Sequence, residues 1–267
     1  MLGDGKAPQD EEGLIGISQI SKVVTNEDGL ISSVFPNLEA RFKDLNWLSE
    51  RAILAPKNVM VNSINHKLLS KIPGQERKYK SVDTAMDVND ATAYPVEFLN
   101  TLDPSGFPPH ILSLKEGAPI MLLRNLRPPT LCNGTKLVVI KLLPNVIKAK
   151  ILTGSGKGEE VMIPRIPLIS SPSDLAFSFK RLQFPVRLCF AMSINKSQGQ
   201  TLKVAGLQLQ DPCFSHGQLY VACSRVGSSK NLFTLCQAHK KCKSCNFVNC
   251  GAHFHKTVNI VYPSALE

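Results

Sequence analysis

Between Arg51 and Ile72 the hydrophobic pattern changes period. RAILAPKN opens with a continuous apolar run, the mark of a brief buried strand. VMVNSINHKLLSKI then places Val59, Ile64, Leu68, Leu69 and Ile72 at close to helical spacing. With DLNWLSE before them reading as a short helix end, strand, loop and helix make an α/β unit. From residue 78 the character shifts to short apolar runs, HILSL, APIMLLRN, TKLVVIKLL, VIKAKIL and VMIPRIPLI, separated by turn signals such as CNG, LPN and GSGKG. Repeated short strands at this spacing predict a small barrel. The α/β pattern then resumes: FPVRLCFAMS as a strand, KSQGQT opening a helix, VAGLQLQ as a strand, HGQLYVACSR as a helix and NLFTL as a strand. Residues 1–45, rich in Gly, Asp and Pro with weak periodicity, are expected to be loosely structured. The expected architecture is an α/β parallel-sheet domain over 46–77 and 176–267, interrupted by a β-rich insertion over 78–175.

GSGKG invites comparison with a phosphate-binding loop. A P-loop needs G-x-x-x-x-G-K-[ST], whose backbone amides cradle phosphate while the Ser or Thr holds Mg²⁺. Here Gly158 follows Lys157, and Ile151 stands where the first glycine belongs. The segment joins two β-rich runs and has no helix behind it to supply a positive N-terminus. A hairpin turn fits it better. The chain holds no other GK[ST], so nucleotide chemistry has to come from elsewhere.

Charge sharpens the picture. The net charge of +10 is unevenly spread. Residues 1–50 hold four Lys/Arg against nine Asp/Glu, whereas 177–256 hold eleven Lys/Arg against a single acid, Asp211. A basic half of this kind suits a polyanion, most often nucleic acid, although charge alone fits a solvated surface equally well. No apolar run approaches the roughly 18 residues of a membrane span, and the N-terminus lacks the apolar core of a signal peptide. Eight cysteines without a secretion signal suggest reduced thiols.

FAMSINKSQGQTL and the later GQLYVACSRVGSSKNLFTL carry the chemistry. They resemble the last two signature motifs of superfamily-one DNA helicases of the 5′-to-3′ branch. The match is closest to the PIF-one-like (petite integration frequency) helicases, especially those of Helitron transposons. The resemblance extends through RAILAPKNVMVNSIN, the stretch from YPVEFLNTL to NGTKLVV, IPRIPLI and TVNIVYPSAL. It implies a RecA-like second motor domain interrupted by an SH3-like β-barrel, the C-terminal half of an ATP-dependent DNA helicase.

In that family the loop matching Ser193, Lys196, Ser197, Gln198, Gly199 and Gln200 touches the DNA backbone and the γ-phosphate region. The resemblance implies this coupling role here, with Ser193 and Lys196 on DNA. Asn195 stands where relatives have His. It likewise implies that Arg225 is the arginine finger that stabilises charge on the transferring phosphoryl group, with Cys223 replacing an aliphatic residue. His216 and Gln218 belong to the same stretch. In the barrel, Lys115, Arg124, Arg127 and Lys136 are candidates to face the DNA backbone, against the alternative of solvated surface charge. The family's upstream P-loop domain has no counterpart here, so ATP and Mg²⁺ are expected only in a complete helicase. The expected partners are single-stranded DNA and a P-loop motor domain in cis or trans, with no membrane. The expected location is the nucleus, with the cytoplasm as alternative. A non-catalytic single-stranded DNA-binding module or an inactive transposon remnant are the other readings.

Relatives pass almost directly from a strand like NLFTL to one like TVNIVY. This chain inserts a Cys/His-rich segment, 236–256, in which Cys242, Cys245, Cys250 and His253 have plausible zinc spacing with Cys236 and His255 nearby. The interval between the two pairs is tight, and a fortuitous insertion is the alternative.

Overall fold

The computed structural model describes residues 7, 14–87, 93–170, 175, 177–236, 238–239 and 254–258. Strands β1 (Leu14–Gly16) and β2 (Lys22–Val23) lead to helices α1 (Glu27–Val34), α2 (Leu38–Arg41) and α3 (Leu45–Ser49). Strand β3 (Arg51–Ala55), helix α4 (Asn58–Lys71), strands β4 (Arg77–Lys80) and β5 (Val82–Ala85) and helix α5 (Val96–Thr101) follow. Next come β6 (Ile111–Leu114), β7 (Pro119–Leu122), β8 (Lys136–Leu142), β9 (Val146–Ile151) and β10 (Glu160–Pro164). Then come β11 (Ile166–Ile169), β12 (Phe179–Gln183), β13 (Val186–Leu188), β14 (Ala191–Ser193) and β15 (Val204–Leu209). Helix α6 (Gln218–Cys223) and strands β16 (Leu232–Cys236), β17 (Ala238–His239) and β18 (Phe254–Val258) complete the order.

Two compact units result. The first takes Met1–Ala40, Glu50–Leu68 and Phe190–Glu267, the second Arg41–Ser49 and Leu69–Cys189. The second is therefore wider than the 78–175 expected from strand spacing, because α3 and the end of α4 pack with it. FPVRLCFAMS, expected as one strand, divides at this boundary: β13 joins the sheet of the second unit and β14 that of the first.

The first unit is built on a parallel five-stranded sheet in the order β14-β3-β15-β16-β2. Helix α1 packs against β15, β16 and β3, burying Leu30, Ile31 and Val34. Its start is set locally: the Asn26 side chain accepts from Gly29 N at 2.7 Å, and Glu27 and Asp28 occupy the positive end. The residues expected to be loosely structured thus include a capped, half-amphipathic helix. The helix reaches the sheet because β15 carries Gly206. A Cβ there would stand 2.8 Å from Val34 Cγ2 and 3.0 Å from Leu30 Cδ1.

The second unit holds an antiparallel sheet, β10-β9-β8-β7-β13, with a three-stranded sheet, β11-β12-β5, and the pair β4-β6. Its core gathers Leu112, Leu114, Ile120, Leu122, Leu137, Val139, Ile147, Ile163, Phe184 and Val186. GSGKG is the β9–β10 turn: Ile151 N donates to Glu159 O and Gly158 N to Ile151 O, both at 2.9 Å, with Gly154 and Gly158 at positive φ. Beneath the three-stranded sheet lies a fully buried ion pair. Arg181 donates from Nε and Nη2 to Asp83 at 3.0 and 2.6 Å. Its remaining donors meet the carbonyls of Leu99, Leu102 and Pro108 at 3.0–3.1 Å, pinning α5 and the segment after it.

Candidate functional site

In the first unit the segment Ser193–Gln200 leaves the C-terminal end of β14, the end of a parallel sheet where ligands bind in open α/β folds. Strand β14 is held in place by Asn65 of α4. Asn65 Nδ2 donates to Ala191 O at 2.9 Å, and Ala191 N donates to Asn65 Oδ1 at 2.8 Å. Sequence reasoning passed over Asn65. The signal was an amide one residue from Ile64 on the apolar face of a helix, a position that demands a partner once buried.

KSQGQT does not open an α-helix. Ile194–Ser197 form one 3-10 turn, Gln198 turns out with ψ 134°, and Gly199 takes φ +77°, so the chain folds back toward β15. Two of its amides are spent internally, Gln198 N on Asn195 O at 3.4 Å and Gln200 N on Ser197 O at 3.0 Å. The Ser197 side chain is buried and donates to Ile194 O at 2.6 Å, so it shapes the turn instead of facing a ligand. Lys196, Gln198 and Gly199 are exposed, and Ser193 and Gln200 are half-buried.

Arg225, just beyond α6, meets this loop. Its Nη1 donates to Gln200 O at 3.1 Å and to Ser197 O at 3.4 Å. Its Nε donates to Val221 O, and Nη2 to Ser224 Oγ, both at 2.8 Å. The Arg225 carbonyl accepts from Leu202 N at 2.8 Å. The two motifs singled out in sequence are therefore one hydrogen-bonded piece. Burial pushes the thiols of Cys213 and Cys223 up to about 12, so they stay protonated and add no negative charge. Lys57 and Lys203 are paired, with Asp211 at 3.3 Å and Glu50 at 2.6 Å. Gln218 is buried, its Oε1 accepting from Phe214 N at 3.0 Å, and closes the turn into α6.

The barrel cations are placed differently from expectation. Lys136 is buried, and desolvation pushes its pKa down. Lys115 is buried too, its ammonium donating to Ile72 O at 2.7 Å and capping the C-terminus of α4. Arg124 donates to Gly106 O and Leu123 O, both at 2.9 Å, and lies over the Phe107 ring. Lys115 and Arg124 serve the fold, and Lys136 is enclosed by it. Arg127 is exposed and paired with Glu159. Cys242, Cys245, Cys250 and His253 lie outside the described residues. Among the described residues no group of three or more His, Cys, Asp or Glu could hold a metal ion.

Residues 97–142 match the family model described as DNA helicase Pif1, 2B domain. Zebrafish (Danio rerio) ATP-dependent DNA helicase PIF1 is 34% identical over 176 residues, which are 64% of this chain and 25% of that protein. The crystal structure of Pif1 helicase from Candida albicans matches with a TM-score of 0.56 and 26% identity, over 78% of this chain and 52% of that one. Over these stretches the chain resembles PIF1-like helicases in sequence and in fold. Bacteroides Pif1, crystallised with ADP-AlF3 and single-stranded DNA, shares the fold at a TM-score of 0.53 and 23% identity, over 79% of this chain and 45% of that one. The chain thus spans a quarter of the zebrafish relative and about half of the solved ones. Its five-stranded parallel sheet and small antiparallel sheet agree with a RecA-like motor domain carrying a β-rich domain.

Proposed function

We propose that this PIF1-like chain is the second motor domain, with its β-rich appendage, of an ATP-dependent 5′-to-3′ DNA helicase. In this reading Ser193, Lys196 and Gln198 grip the backbone of single-stranded DNA, with sequence-independent contacts. Arg225 offers its guanidinium to the γ-phosphate of ATP and Mg²⁺ held by a P-loop domain, in cis or in trans. The observation that carries the proposal is the bonding of Arg225 to the Ser197 and Gln200 carbonyls. A guanidinium drawn toward phosphate gives up those carbonyls and releases the loop. One event then changes both the nucleotide site and the DNA grip.

The experiment combines this chain with a separately purified PIF1 P-loop domain and measures DNA-stimulated phosphate release. Release is expected from the mixture and not from either component, and Arg225→Ala abolishes it. DNA-stimulated release by this chain alone, lost in Arg225→Ala, overturns the division of labour.

The net charge of +10 also suits a second reading, a single-stranded DNA-binding module without catalysis. Oligo-dT binding that persists while no P-loop domain restores hydrolysis selects it.

A further inference from the structure

Within the second unit, exposure alternates without a break from Lys78 to Thr84. Lys78, Lys80, Val82 and Thr84 face solvent, and Tyr79, Ser81 and Asp83 are buried. The antiparallel register extends this face across neighbouring strands, because opposed residues share a side of the sheet. Lys80 stands opposite Ile111, Val82 opposite Leu182 with Pro167 next beyond it, and Thr84 opposite Lys180 with Ile169 next beyond it. Val82, Ile169 and Ile111 are 59%, 55% and 47% exposed, unusually open for aliphatic strand residues.

Three lysines are set into that aliphatic ground. Glu76 lies at one end, its carboxylate 3.8 Å from Lys78 Nζ. Asp83 points the other way and is neutralised by Arg181. Strand geometry separates Lys78 from Lys80 by about 7 Å and the Lys80 and Lys180 levels by about 14 Å. Cations one and two such intervals apart, beside exposed aliphatic side chains, suit a polymer with phosphates at repeating intervals and apolar sugar faces between. Among the described residues opposed on this face none is aromatic, so it would hold the backbone without stacking bases or reading sequence.

We infer that this face is a second nucleic-acid surface, on which Lys78, Lys80 and Lys180 hold the phosphates of a single strand running across β4, β5 and β12. The inference rests on the reading of the chain as a DNA-binding motor domain. It names a contact surface separate from the Ser193–Gln200 loop and unrelated to Lys115, Arg124 and Lys136.

The test is a titration of fluorescent oligo-dT between 50 and 300 mM salt, for the wild-type chain and Lys78→Ala/Lys80→Ala/Lys180→Ala. Each phosphate contact on a single strand contributes about 0.7 to the slope of log affinity against log salt, so the triple variant should lose about 2. Lys→Arg at the same positions should restore the slope. An unchanged slope in a triple variant that keeps its melting temperature overturns the inference. Should that variant unfold, Lys180→Glu alone has to lower the slope by at least about 0.7. Polyglutamate binding that the triple variant loses, with oligo-dT binding unmoved, assigns the face to an acidic protein and overturns it too. A wild-type chain with no oligo-dT affinity removes the DNA-binding reading itself, a failure distinct from loss of this face alone.

Discussion

The guanidinium of Arg225 and the carbonyl of Gln200 are joined by a hydrogen bond of 3.1 Å, across 25 residues of chain. A second bond to Ser197 O at 3.4 Å makes Arg225 the tie between the segment after α6 and the loop after β14. Charge-assisted bonds of this kind are each worth about 1.5–3 kcal/mol. Arg225→Ala should therefore destabilise the first unit by about that amount, seen as a fall of several degrees in melting temperature. Arg225→Lys should not recover it, because an ammonium cannot span Val221, Ser197, Gln200 and Ser224 at once. Full stability in the lysine variant would contradict the tie.

Lys196 and Ser197 are adjacent in sequence and opposite in exposure. The Ser197 hydroxyl is spent on Ile194 O, whereas Lys196 faces solvent. Lys196→Ala should lower the salt slope of oligo-dT binding by about 0.7 and weaken affinity. Ser197→Ala should leave the slope unchanged and cost only about 1 kcal/mol of stability. Titrations of both variants at matched salt separate the two roles.

Asp83 compensates the one charge of Arg181 in a site where both side chains are fully buried. Asp83→Ala should cost about 3–5 kcal/mol, because it strands the guanidinium without its anion. Pairing it with Arg181→Met should recover only part of the loss, since the carbonyls of Leu99, Leu102 and Pro108 lose their donor. Denaturant unfolding of the single and double variants measures both.

Lys136 has its pKa pushed down by burial. A base whose folded pKa lies below its unfolded value binds more protons when unfolded, so stability rises with pH through the interval between the two. Lys136→Met should therefore stabilise the chain at neutral pH by about 1 kcal/mol or more. The advantage should shrink as pH approaches about 10.4, the ordinary lysine value. Melting curves at pH 7 and pH 10 check the sign.

Lys136 also shows where the sequence was readable and where it was not. In KLVVIKL the period of two puts Lys136 on the face of Val138, and both faces of β8 are buried there. The alternation held the clue, but charge was read as exposure. Lys115 gave no such clue, because its partners, Ser70 O and Ile72 O, lie more than 40 residues away in sequence. Strands β3, β15 and β16 were legible as short apolar runs bounded by turns. Helix α1 was not, since its apolar face makes sense only once Gly206 lets it approach β15. The loop's failure to form a helix turns on Gly199 at φ +77°, a conformation that glycine permits without announcing. Motif spelling singled out Ser193, Lys196 and Arg225 as candidates, but gave no sign of the bond that unites the loop with Arg225.

The most direct measurement is equilibrium binding of labelled oligo-dT by this chain at 50 and 200 mM salt, for wild type and Lys196→Ala. The account expects binding at 50 mM that weakens steeply at 200 mM, with little dependence on base sequence and a shallower salt slope in the variant. Absence of binding by the folded wild-type chain at 50 mM salt would contradict it.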